Sequence, residues 1–530
     1  MRETLAGTGA LVRLGLRRDR WMLPAWILAF ALMSGSAAKA GAGLFPDSAS
    51  RVSAANAINA TASMVAVFGR VYDPRSLGAL SLIKYTAFMA AVLAVLMVFV
   101  TIRHTRTEEE TGRLELLSAA RLGRNAPLAA ALLISFGASL VLGLLTAAGL
   151  ASGGLPAAGS LAFGLGWTTT GMAFSAVAMV TAQVTASARA ATGWGVVVIA
   201  VTYALRAVGD LAEPGPSALS WLSPIGWNQQ VRAFAGDRWS VLLLPLALCA
   251  VLVPVAFVLR ARRDLGAGLR EARPGPGRGS LAGVWDLAVR LQDRVLAAWA
   301  VAFVVFGVVI GSLANNVTSF LTSPNAQDLM KKLGGAQALT DAFLAAEVAI
   351  MGVLAAAYGL AAANHLRSEE SAGHTEALLA TSTTRTRWAT SHYAAALAGL
   401  TVLMLLAGLS IGAGAALTLH DGSQVGRVTL AALAQAPAAW VITSVVLALF
   451  GWLPRLTAGA WGLFLAFIAL GEFGVLWNAP QWLMDVSPFQ HSPRLPVGSS
   501  GVTALVALTA TAAILAGLGY LGWRRRDLTA

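Results

Sequence analysis

The chain has 530 residues, of which 57% are hydrophobic and only 12% charged, and its mean hydropathy is +0.69. A soluble globular domain carries about a quarter charged residues, so a large water-soluble enzyme is excluded. The formal charge of +13 comes from 38 Lys and Arg against 25 Asp and Glu. These basic residues fall between apolar blocks, in the pattern of membrane topology and not of a nucleic-acid-binding face.

Residues 1–20 lack an apolar core followed by a small-residue cleavage site, so they do not read as a signal peptide. Arg13, Arg17 and Arg20 share one side of a helix and Leu5, Val12 and Leu16 a neighbouring stripe. That pattern predicts an amphipathic elbow helix lying along the inner headgroups. Twelve apolar blocks of about the length that crosses a bilayer follow, at 21–42, 83–103, 126–150, 160–184, 190–208, 241–260, 295–316, 343–364, 392–416, 428–451, 456–473 and 501–523. With a cytoplasmic N-terminus, 26 of the 38 Lys and Arg lie on the inner side and 12 on the outer. This bias orients the protein with both termini in the cytoplasm. Outer segments 43–82, 209–240 and 474–500 are expected to form short interfacial helices, with Trp221, Trp227 and Trp239 in an aromatic belt. Residues 261–280, rich in Arg, Gly and Pro, read as a cytoplasmic linker between a first half, 1–260, and a second half, 281–530. A second amphipathic elbow helix is expected to open that half, with Asp286, Arg290, Asp293 and Arg294 opposite Val284, Leu287, Leu291 and Val295. The one cysteine, Cys249, excludes an intramolecular disulfide.

The chain repeats itself. His104–Leu117 aligns with His365–Leu378 at an offset of 261, and nine of the 21 positions from 104 to 124 are identical. Ser223-Pro224 recurs as Ser487-Pro488, Arg263-Asp264-Leu265 as Arg526-Asp527-Leu528, and Leu5-Ala6-Gly7 as Leu281-Ala282-Gly283. The expected fold is therefore an all-α polytopic membrane protein of about twelve transmembrane helices in two parallel six-helix repeats. The repeated segment places a charged helix directly after the second span of each half. Within it Arg106 and Glu110, and Glu109 and Arg113, are spaced to pair along the surface, and Gly112 and Gly373 to end a short helix at a bend. Acidic clusters are unusual in cytoplasmic loops, so this one reads as a docking element for a soluble partner.

Four ionisable residues sit at span ends expected to face outwards: Lys84, Arg206, Glu347 and Glu472. Two cations in one half and two anions in the other could pair as an outer gate. No phosphate-cradling G-x-x-x-x-G-K-[ST] loop occurs, so ATP and magnesium would be bound by another polypeptide. Gly408-Leu-Ser410-Ile-Gly412 matches the serine-hydrolase elbow only by chance, being inside an apolar span, and no His, Cys or acidic spacing suggests a metal site.

The elbow stretch, the Glu-rich segment after the second span and the outer excursion before the sixth resemble the permease of type-2 ABC exporters. The fused double-half form resembles exporters of polyketide antibiotics of the tetronasin type, on His104–Leu117, His365–Leu378, the Ser-Pro pairs and the opening Leu5–Leu14. The likeness spans the chain, but only the Glu-rich segments are specific. It implies a bacterial plasma-membrane efflux permease without its own ATPase site, moving hydrophobic small molecules and docking two cytoplasmic ATPase subunits. By that resemblance, Arg106, Glu108, Glu109, Gly112 and Glu115, with Arg367, Glu369, Glu370, Gly373 and Glu376, line the docking interface. The second copy departs from the first at Ser371 and His374, where the first has Glu110 and Arg113, so two non-equivalent docking sites are expected. Two other classes share the general plan. An ion-coupled transporter of major-facilitator type requires a mid-membrane titratable residue and a basic loop after span two. A lipid-linked glycosyltransferase requires clustered outer acids, and Asp47 and Asp73 are scattered.

Overall fold

The computed structural model describes residues 3–118, 122–211, 216–264, 266–269, 283–314, 336–473, 480–493, 495–496 and 501–527. Every regular element among them is helical. Among the described residues, eleven helices are long and apolar enough to cross a membrane, and they coincide with eleven of the twelve expected spans. The twelfth block, at 456–473, holds the apolar helix Gly459–Phe473, which runs up to residues 474–479, outside the described ones. Pro454 starts a separate 3-10 turn ahead of it, Pro454–Leu456, which shortens the helix from its N-terminal side.

Contacts divide the chain into two units, Met1–Gly275 and Pro276–Ala530. Residues 270–282, most of the expected linker, and Lys331 and Lys332 lie outside the described residues. The start of the linker is not free chain: Leu269 N–H donates to the Gln183 carbonyl at 3.3 Å, which folds it back on the first unit.

In the first unit, α1 (Thr8–Arg18) precedes the span α2 (Met22–Leu44). The second span, α3 (Phe88–Arg103), leads into two short helices, α4 (Arg106–Glu110) and α5 (Arg113–Ser118). Spans α6 (Ala126–Ser152), α7 (Ala157–Val184), α8 (Ala188–Leu211) and α9 (Leu243–Ala261) follow. The second unit has the same order: α10 (Val284–Ser312), α11 (Ala336–Ala363), short α12 (His365–Ser371) and α13 (His374–Leu379), and α14 (Arg385–Leu419). It ends with α15 (Ser423–Leu433), α16 (Ala436–Trp452), α17 (Gly459–Phe473) and α18 (Val502–Arg525). The amphipathic stretch of this unit is not a separate elbow. It runs unbroken into the span as α10, whereas the first unit breaks at Asp19, whose side chain is taken by Arg103 and His104.

Packing order also repeats. The first span packs on the third (α2 on α6, α10 on α14), and the fourth packs on the second, third and sixth (α7 and α16 in the same role). The fourth span is thus the centre of each unit, with 78% of its most apolar stretch buried in the first and 72% in the second. Glycine allows the closest approaches, which lipid-embedded helices need because hydrophobic burial gives them little drive to associate. A methyl built on Gly143 or Gly164 would strike the other's carbonyl oxygen between α6 and α7, and one built on Gly451 would strike that of Gly519 between α16 and α18.

Among the described residues, the segments expected to lie outside form short helices, including Ser48–Ala60, Ala62–Phe68, Leu77–Ser81 and Pro224–Gln230. Asp47 caps the first by accepting from Ser50 N–H at 2.7 Å. Ser223 caps the last, with Pro224 in its first turn.

Gly143→Ala is expected to destabilise the protein by about 1–3 kcal/mol through overpacking, read as a lower melting temperature in detergent. Gly137→Ala, on the same helix with open space around it, should leave melting unchanged or raise it; equal losses at both positions would contradict this packing.

Candidate functional site

The site grows from the repeated segment. After α3 the chain makes one turn as α4, reverses at Gly112 with φ +70, and makes a second as α5. Gly373, with φ +76, separates α12 from α13 in the same way. No atom lies within 4 Å of a Cβ built on either glycine, so backbone conformation and not crowding requires it.

Burial divides the charged residues into two sets. Glu109 points inward, with 2% of its side chain exposed, and accepts from three arginines. Arg263 Nη2 and Nη1 reach its two oxygens at 2.6 and 2.7 Å, Arg106 Nη1 at 2.7 Å and Arg260 Nη1 at 3.1 Å. Burying three cations around one anion is costly unless the remaining donors are met. Arg106 therefore also donates to the carbonyls of Ala186, Gly266 and Ala267 at 2.6, 2.6 and 3.0 Å, and Arg263 Nε to Gln183 Oε1 at 2.8 Å. The cluster fastens α4 to the α7–α8 junction and to the end of α9.

The second unit has the same clasp with fewer charges. Arg367 Nη1 donates to Glu370 Oε2 at 3.1 Å and Arg526 Nη2 to the same oxygen at 2.9 Å. The Arg526 guanidinium lies 4.7 Å from the Trp523 ring and 4.8 Å from Phe450, where Arg263 has Gln183. The position of Arg260 is taken by Trp523, and both serve one bond: Arg260 Nε donates to the Arg124 carbonyl and Trp523 Nε1 to the Arg385 carbonyl, each at 2.9 Å.

Of the expected docking residues, Arg106, Glu109 and Glu370 are buried in these ion pairs and Arg367 is half-exposed in one, and the expected i,i+4 surface pairs do not form. Gly112 ends α4 before Arg113, and Arg106 turns inward to Glu109 at i,i+3. Glu108 instead pairs with Arg18 of α1 and lies 3.8 Å from Arg113. Exposed Glu110 accepts from Ala188 N–H at 3.0 Å, at the positive end of α8. Glu115 and Glu376 are exposed, and Glu369 is half-buried 3.1 Å from His374. The repeated Arg-Asp-Leu is the one sequence signal for Arg263 and Arg526; Arg260 and Arg18 carry none.

Asp19 ties α1 to this end. Its buried carboxylate contacts His104 Nε2 at 2.7 Å and accepts from Arg103 Nε at 3.0 Å. Burial alone would raise the Asp19 carboxyl, but the bonds and charges of His104 and Arg103 outweigh it and hold the group below its usual value.

The four expected gate residues have different settings. Arg206 is fully buried and committed within its own unit: Asp210 lies 3.3 Å away, Ala66 and Val67 carbonyls accept at 2.5 and 3.1 Å, and Ser220 Oγ donates to Asp210 at 2.7 Å. These bonds fasten α8 to the helix Ala62–Phe68. Lys84 is exposed beside Phe68, and Glu347 is half-buried on α11. Glu472 is in the last turn of α17, with its side chain outside the described residues.

An all-α body of membrane-length helices, with its charged fasteners at the span ends, has the architecture of a polytopic membrane permease. Comparison makes the class specific. The chain is 41% identical over 527 residues to the multidrug efflux system permease protein Rv1217c of Mycobacterium tuberculosis (strain ATCC 25618 / H37Rv), covering 98% of this chain and 95% of that one. Residues 281–524 match the family described as multidrug efflux system permease Rv1217c, C-terminal domain. The chain belongs to this family of multidrug efflux system permeases.

Glu109→Gln leaves Arg106, Arg260 and Arg263 without their carboxylate and is expected to cost about 3–5 kcal/mol. Glu110→Gln, at an exposed carboxylate, should cost less than about 1 kcal/mol. Thermal unfolding in detergent distinguishes them, and small equal effects would contradict a buried clasp.

Proposed function

We propose that this chain is the transmembrane subunit of an ATP-driven efflux pump that exports amphipathic and hydrophobic compounds, polyketide antibiotics and drugs among them, by alternating access. Two separate cytoplasmic ATPase subunits supply the ATP and magnesium sites and dock on α4–α5 and α12–α13. The bias of Lys and Arg supports a cytoplasmic location for that end of the spans and for both termini.

The observation that carries this reading is the division of each Glu-rich segment into an inward and an outward set. A helix that receives force from a soluble motor has to be fixed to the spans that move, or the motion is lost in local bending. Glu109 and Glu370 supply that fixing, while Glu110, Glu115 and Glu376 remain exposed as contacts for a partner. A push on α4 is then carried together to α3, to the α7–α8 junction and to the end of α9. An apolar path suits cargo that already partitions into lipid, because little polar desolvation is needed on entry.

Charge reversal at Glu110, Glu115, Glu369 and Glu376 together is expected to lower co-purification of the ATPase by about tenfold or more, as loss of complementary interface charge does. Retention at normal stoichiometry would refute docking here. In proteoliposomes, efflux should stop without ATP and persist with a protonophore; the reverse result would indicate an ion-coupled transporter.

A further inference from the structure

The two clasps differ in what lies beside them. In the first unit, a cavity of about 510 Å³ opens between α1, α4–α5 and the start of α6, within the range of roughly 300–1,000 Å³ typical of small-molecule sites. Leu11, Leu14, Leu114, Leu128 and Ile134 make its apolar wall. Leu14 and Leu116 at this cavity are 51% and 79% exposed, apolar surface left to the surroundings. A second cavity of about 210 Å³ adjoins it through Leu114, Pro127 and Arg260, and adds Arg124 and Arg263. Five arginines line the two cavities (Arg18, Arg113, Arg124, Arg260 and Arg263) against three carboxylates (Glu108, Glu109 and Asp264). The cleft is thus apolar along one part and cationic at its end.

The corresponding place in the second unit is filled by protein. At the repeat offsets, Trp388 stands where the first unit has Pro127, and Trp523 where it has Arg260. Both tryptophans are fully buried, with ring centroids 5.3 Å apart, and Phe450 lies 4.9 Å from Trp523. One unit closes its clasp with tilted, closely packed aromatic rings. The other has exchanged them for a proline and an arginine and keeps a cleft.

We propose that this cleft binds an acidic phospholipid, which seals the first clasp as Trp388 and Trp523 seal the second. The phosphate lies at Arg113, Arg124 and Arg260, and an acyl chain covers Leu14 and Leu116. Charge complementarity favours an anionic headgroup over a neutral one, and the apolar wall favours a lipid over a free anion. The site is at the ends of the spans, where lipid headgroups are present on either face of a membrane, so the inference does not depend on the orientation proposed above.

The full chain, delipidated in detergent, would be titrated with phosphatidylglycerol, phosphatidylcholine or inorganic phosphate, reading thermal unfolding and bound lipid by native mass spectrometry. Phosphatidylglycerol should raise the melting temperature and remain as one bound molecule, and the other two should do neither. Arg113→Gln with Arg124→Gln, both exposed positions, should weaken phosphatidylglycerol binding by roughly tenfold or more, the effect of removing two basic side chains from an acidic lipid. Pro127→Trp, which copies the second unit, should abolish it. Equal protection by phosphatidylcholine, full protection by phosphate alone, or unchanged lipid affinity in either folded variant would overturn the proposal. Should Pro127→Trp fail to fold, the arginine pair decides.

Discussion

A carboxylate buried among guanidinium groups is the constraint on which the charged end of each unit depends. Glu109 and Glu370 each occupy a space lined by arginines drawn from elements far apart in sequence, and neither set of charges is tolerable without the other. This explains why a short helix of one turn, too small to be stable alone, holds a fixed position. α4 has five residues, and its place is set by Arg106 and Glu109 contacts to chain that lies 80 to 161 positions away.

The two units solve the same problem with different chemistry. The first concentrates charge, with Arg106, Arg260 and Arg263 on one carboxylate and Gln183 and backbone carbonyls taking most of the donors left over, though Arg106 Nε has no partner among the described residues. The second uses two arginines, and buries Arg526 against Phe450 and Trp523. A flat aromatic face accepts a guanidinium without a second anion, so the aromatic solution needs fewer buried charges. The consequence is two unlike surfaces at the candidate docking helices. α4–α5 presents Glu110, Arg113 and Glu115, while α12–α13 presents Ser371, His374 and Glu376.

The sequence makes the spans legible because an apolar block of membrane length has few other uses. Their ends are less legible: hydropathy stops at 103 and 364, yet helical structure continues to Glu110 and Ser371, since polar residues at a helix end do not register as apolar. Within the candidate site, the glycine turns follow from local spacing. The direction of Glu109 does not, because its partners Arg260 and Arg263 are some 150 residues on, and a four-residue spacing to Arg113 is just as compatible with a surface pair. The surroundings of Arg206 are illegible for the same reason: Asp210 is four residues on, but the carbonyls of residues 65–67 that accept from it are some 140 residues back.

The central claim is that the candidate docking helices move as one body with the end of the sixth span. It is tested most directly by the distance between spin labels at exposed Thr111 and Asp264, measured by electron–electron double resonance in the assembled pump. The single native cysteine, Cys249, is buried and leaves little background labelling. The account predicts the same distance distribution in the nucleotide-free and ATP-trapped states, and a shift or broadening between them would contradict it.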